Sequence, residues 1–224
     1  MNKTLAFAKL DYLTLKPYLN WKTSLLFFVL FGSIGYGTGE PASVIGMCMM
    51  CSVMFACYPF SVGEKNATDT LYSTLPITKK NIVAGRYAFT IGLNLFMMAI
   101  SLVVSIGVMV AFNREFVLLE VLLTAFICFA FFSLVEAIQL PIYFKFGYTK
   151  AKFLTYLPLL CFPASLMITS NIVGADNVIP LVTNALAWVE SNAVLTAIIA
   201  VIVLGGVMYL SAFLSHKFYK TREF

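Results

Sequence analysis

One acid stands where acids are expensive. Glu136 sits in the run Phe131-Phe132-Ser133-Leu134-Val135-Glu136-Ala137-Ile138. An ionisable group at the centre of a membrane-spanning helix costs about 2.5–3.5 kcal/mol on insertion scales, so it turns to other helices or to water, not to lipid. Gln139, three residues on, shares its helix face. Two roles stay open. Glu136 is a polar point on a translocation pathway or a latch between helices, or it reaches water near the membrane interface, with Lys145 nine residues away.

A second group with chemical potential is Met47-Cys48-Met49-Met50-Cys51, with Met54 one turn on. On a helix Met47, Cys51 and Met54 share a face, with Met50 beside them. Thioether and thiolate ligands suit Cu(I). No histidine supports such a site, and Met and Cys are ordinary fillers of apolar packing, so no metal is expected. The single histidine, His216, lies beside Lys217 in the C-terminal tail and reads as solvated. There is no G-x-x-x-x-G-K-[ST] loop, so no P-loop ATP site is expected on this chain. No catalytic constellation is visible, and neither enzyme activity nor a cofactor of its own is expected.

Elements that could position these groups follow from composition. The chain is 61% apolar and only 11% charged, with mean hydropathy +0.91. Soluble domains carry about 25% charged residues. The expectation is an all-α integral membrane protein forming a single transmembrane domain over 1–224. A spanning helix needs about 20 apolar residues, and six segments qualify: 21–36, 42–62, 87–112, 116–144, 153–173 and 193–214. No cleavable leader is expected, because the first apolar run begins near Thr23, after four lysines. The five cysteines (48, 51, 57, 128, 161) all fall inside apolar runs and read as small buried hydrophobes, not as a disulfide framework.

Positive charge orients these spans. Of the 15 Lys and Arg, four lie in residues 1–22, four in 63–86, three in 145–152 and three after Leu214; only Arg114 falls elsewhere. Basic loops stay on the cytoplasmic side, so both termini are expected there. The net charge of +5 then reflects loops facing anionic headgroups, and no nucleic-acid partner is expected. The opposite side holds two tight turns, 38–41 and 113–115, and one longer segment, 174–192. That segment is acidic and contains an apolar stretch too short to span. It is expected to be extracellular and re-entrant or interfacial, with Trp188 at headgroup depth; an ordinary loop is the alternative.

Two further segments offer apolar surface beside their lysines. Residues 2–18 form an expected interfacial helix, with Leu5, Ala8, Tyr12, Leu15 and Leu19 on one stripe and Pro17 ending it; a simple extension of the first span is the alternative. In the loop 63–86, Asn66 or Thr68 can cap a short helix whose apolar side is Leu71, Tyr72 and Leu75 and which stops at Pro76. Thr78 can cap the following helix, which runs on into the third span. A short helix held between two spans suits docking to a partner.

The stretch Asp69…Leu71-Tyr72-Ser73-Thr74-Leu75-Pro76-Ile77-Thr78…Ile82-Val83-Ala84-Gly85-Arg86-Tyr87 resembles the D-x-L-Y-x-x-L-P-(I/V) pattern of ABC-2-type permeases, in particular the phenol-soluble-modulin exporter permeases. The stretch from Leu140-Pro141-Ile142-Tyr143 to Lys152 is similar to that group's pattern around its fourth span. The resemblance covers essentially the whole chain. It implies an exporter of two permeases and two separate ATPase subunits, with ATP and Mg held by the ATPase. By the same resemblance, 1–20 is an elbow helix and 63–86 is the coupling loop, with Asp69, Tyr72, Leu75, Pro76 and Ile77 docking on the ATPase. It further implies a bacterial cytoplasmic membrane, a second permease copy or a sister permease, and a cargo of amphipathic peptides of toxin or bacteriocin type. The other readings are an ABC permease for a non-peptide, drug-like substrate, a self-standing channel or secondary transporter, and a non-transporting membrane scaffold. A secondary transporter predicts repeats and several intramembrane charges, where the sequence offers Glu136.

Overall fold

The computed structural model describes residues 3–17, 20–66, 78–114, 116–153, 156, 189 and 191–221. These residues are helical with no strand. Helix α1 spans Lys3–Leu15, α2 Trp21–Thr38, α3 Pro41–Ala56, α4 Tyr58–Lys65, α5 Lys79–Ala111, α6 Leu118–Phe146 and α7 Ala193–Thr221. Among the described residues four stretches are long and apolar enough to cross a membrane: Pro41–Lys65, Lys79–Ala111, Leu118–Phe146 and Leu195–Thr221. The expected span 153–173 and the re-entrant segment 174–192 lie almost entirely outside the described residues.

Turn chemistry explains most boundaries. Pro17 follows the end of α1. Gly39, at φ +69°, takes a conformation that side chains resist, and its N–H reaches back to Gly35 O at 3.0 Å. Pro41 then opens α3, where its missing N–H costs nothing. The span expected to run unbroken over 42–62 is in fact two helices. Pro59, at the second position of α4, cannot donate to the ladder, so the chain turns at Cys57 and restarts. Asn66, a candidate start of a short helix, instead ends α4.

Helix α5 is longer than its apolar core. It starts at Lys79, eight residues before the expected edge at Tyr87, and its 33 residues reach about 50 Å. Thr78 caps it as expected, accepting from Asn81 N at 3.4 Å. Helix α7 likewise continues past 214 to Thr221. Its final carbonyls, on Tyr219 and Lys220, both accept from Lys79 Nζ at 3.3 Å, a favourable place for a cation.

The helices α3, α5 and α6 pack together, with α1 and α2 against α5 and α7 against α6. One clasp joins α5, α6 and α7. Pro141 lies inside α6 and has no N–H to give the carbonyl of Ala137, four residues back. Ser211 Oγ of α7 donates to that carbonyl instead, at 2.5 Å. Its only proton is then used, so Tyr87 of α5 donates to Ser211 (2.5 Å) and Ser215 donates to Tyr87 (2.8 Å). The chain Ser215→Tyr87→Ser211→Ala137 leaves no member unmatched.

Ser211→Ala should destabilise the detergent-solubilised protein by about 1 kcal/mol, the scale of an interhelical hydrogen bond in a membrane protein. In a Pro141→Ala background residue 141 regains its N–H, so the same change should cost less. Equal costs in both backgrounds, measured by reversible unfolding, would refute the clasp.

Candidate functional site

At the basic end of the bundle an aromatic cluster surrounds one cation. Phe60 of α4 stacks on Tyr143 of α6 at 5.0 Å and meets Phe144 edge to face at 5.0 Å, and Phe144 meets Tyr219 of α7 at 5.3 Å. The guanidinium carbon of Arg86 sits 4.0 Å over the Phe60 ring and 5.8 Å from that of Phe144, a cation–π arrangement. Its charge is answered by Asp11 of α1, with Arg86 Nε 3.8 Å from Asp11 Oδ2 and both side chains buried. That distance is an ion pair and not a hydrogen bond; neither atom has a hydrogen-bond partner among the described residues.

Sequence reasoning missed Asp11 and with it the face that α1 turns to the bundle. The expected stripe ran through Leu5, Ala8, Tyr12, Leu15 and Leu19. In the structure Leu5 and Tyr12 are exposed, and the buried stripe is Phe7, Asp11 and Leu15; Leu19 lies outside the described residues. The helix seats closely. A Cβ on Gly85 of α5 would lie 2.9 Å from Phe7 Cβ and 3.0 Å from Thr4 O. A bulkier residue at 85 would lift α1 off α5.

Eight residues along α5 from Arg86 comes a second polar group. Asn94 Nδ2 donates to Ser133 Oγ of α6 at 3.2 Å and to Glu136 Oε2 in a short contact. Glu136 is 1% exposed, Asn94 is fully buried, and Gln139 is 3% exposed. Glu136 therefore does not reach water near the interface as one expectation had it; it faces a neighbouring helix. Asn94 Oδ1 and Glu136 Oε1 have no hydrogen-bond partner among the described residues. The signal that could have found Asn94 is its register. Arg86, Thr90 and Asn94 recur every fourth residue on one face of α5, all buried, and Thr90 Oγ1 donates to Arg86 O at 2.9 Å.

The sulfur group is split. Cys48 and Met49 are buried in the packing, Cys51 is half-buried, and Met47, Met50 and Met54 are exposed. The docking residues Asp69, Tyr72, Leu75, Pro76 and Ile77 lie outside the described residues. What the structure places around them is the last turn of α4 and the capped start of α5. At that last turn Glu64 Oε2 accepts from Thr149 N at 2.8 Å, holding α4 to the segment after α6.

These features define a multi-pass helical membrane protein with its polar contacts gathered at the basic end and along α5. A family model described as ABC-2 family transporter protein matches residues 8–220. The chain belongs to that family. It is an ABC-2-type permease, the membrane component of a transporter, and membership implies a partner ATPase and a lipid bilayer. No curated protein and no solved structure matches the chain.

Breaking the Asp11–Arg86 pair from one side should cost about 3–5 kcal/mol, because the remaining charge stays buried without its partner. Asp11→Asn should therefore lower thermal stability well below wild type, and Asp11→Leu with Arg86→Met should recover most of it. If the double variant is no better than either single one, the pairing is wrong. Burial pushes the Asp11 carboxyl up to about 6, with Arg86 pulling it partway back.

Proposed function

We propose that this chain is the permease of an ATP-driven exporter whose ATPase docks on the basic side of the membrane. The observation that carries the reading is the position of α5. It starts at Lys79, one residue after the Leu75-Pro76-Ile77-Thr78 stretch that resembles a coupling helix, and continues as one helix to Ala111. A push on the loop is a push on a rod that holds Arg86, Tyr87 and Asn94. In this reading Asp69, Tyr72, Leu75, Pro76 and Ile77 contact the ATPase, α1 is the elbow helix beside it, and ATP and Mg are bound by the partner. Two ATPases serve two permeases, this chain paired with a copy of itself or with a sister permease. The membrane is the bacterial cytoplasmic membrane, with both termini inside.

For cargo, the phenol-soluble-modulin resemblance and the 21 Phe and 10 Met of the chain favour amphipathic peptides of toxin or bacteriocin type. Glu136 acts with Asn94 as a latch between α5 and α6, with Gln139 on the same face; its burial and its contact with Asn94 support that role.

Tyr72→Asp with Leu75→Asp should weaken co-purification with the ATPase at least tenfold, about 1.4 kcal/mol, and remove cargo-stimulated ATP hydrolysis. Unchanged values for both would end the docking assignment, and with it the exporter reading.

The latch is tested separately. Glu136→Gln keeps a planar polar group for Asn94 and should retain stability and most export. Glu136→Leu leaves Asn94 without its partner and should lose at least about 1 kcal/mol of stability together with export. A Leu variant that behaves as wild type in both would exclude the latch.

A further inference from the structure

Between α1, α2, α3 and α5 lies a cavity of about 420 Å³, within the range that holds a sizeable ligand. It is lined by Tyr12 of α1, Phe27 and Phe31 of α2, Cys51 of α3, and Phe96 and Val104 of α5, among others. Phe96 and Val104 are eight residues apart, about 12 Å along the helix axis. None of the residues lining the cavity is charged. Its shape and chemistry suit a flexible apolar chain.

Beside Tyr12 the exposed face of α1 carries charge of one sign. Tyr12 is 49% exposed, and Lys9 and Lys16, both exposed, lie three residues before and four after it. That spacing places all three on one face of α1. Asp11, the acid of this helix, faces the other way and pairs with Arg86. Lysines flanking an apolar cleft at the end of an interfacial helix hold their ammonium groups at headgroup depth.

We propose that this cavity is a binding site for an anionic phospholipid of the surrounding leaflet, one acyl chain lying in the cleft and the headgroup held by Lys9 and Lys16. The site is independent of the cargo and of the ATPase. Its lipid fills the groove beside α1 and ties the helix to the bilayer on the face opposite the Asp11–Arg86 pair.

The test uses the full-length, delipidated permease in detergent, with dioleoyl-phosphatidylglycerol and dioleoyl-phosphatidylcholine as probes. Cys51 reports occupancy directly in the wild-type protein. Phosphatidylglycerol should slow its alkylation by N-ethylmaleimide, read by peptide mass spectrometry, while Cys128 reacts at an unchanged rate. Native mass spectrometry should show phosphatidylglycerol retained over phosphatidylcholine by about fivefold per lysine. Lys9→Gln with Lys16→Gln should level the two lipids, and Cys51→Trp, which fills the cleft, should reduce both. The proposal is overturned if phosphatidylglycerol leaves Cys51 alkylation unchanged, or if the two lipids bind equally to wild type. It is also overturned if an amphipathic peptide protects Cys51 where phosphatidylglycerol does not.

Discussion

A polar atom inside an apolar bundle has no bulk water to fall back on, so each one has to be met by another part of the chain. That constraint organises this protein more than its apolar packing does. In a bilayer the lipid tails are as apolar as leucine, so burying a leucine between helices gives little reason to choose one neighbour over another. The polar contacts do choose. The carbonyl freed by Pro141 selects Ser211, which sets α7 against α6. Glu136 selects Asn94, which sets α6 against α5. Asp11 selects Arg86, which seats α1 on α5.

Much of the fold was legible because membrane insertion writes itself into composition. The four described spans coincide with expected ones, and the turn at 38–41 and the Thr78 cap came from local chemistry alone. The errors fall where hydropathy stops being informative. Hydropathy set the edge of the span at Tyr87, where the apolar run begins, whereas the helix itself begins at Lys79, where the Thr78 cap put it. The break at Cys57 follows from Pro59, whose missing donor was overlooked inside an apolar stretch.

The face that α1 turns to the bundle is the more instructive omission. A stripe with an acid in it does not read as a packed face until Arg86 is known to lie opposite it. An acid becomes a core residue only when its partner is in place, and that partner sits 75 positions along the chain. Asn94 was missed for the same reason. Glu136 was conspicuous because acids are rare in such runs, whereas a buried amide between Leu93 and Leu95 carries no comparable insertion cost.

All three polar groups reach α5, the clasp through Tyr87, which hydrogen-bonds Ser211. Arg86, Tyr87 and Asn94 lie within eight residues of one another, about 12 Å of helix, and each reaches a different partner. The first half of α5 therefore cannot rotate or slide by itself. Moving it strains the seat of α1, the α7 clasp and the Asn94–Glu136 contact together, so these helices move as one body or stay put. Small displacements are amplified in this way when packed elements have discrete arrangements and resist continuous deformation. A helix tied on three sides and starting just after the basic loop is suited to carry a movement of that loop into the membrane. The exposed apolar face of α7, with Val201, Ile202, Tyr209 and Phe213 turned outward, has no such ties among the described residues.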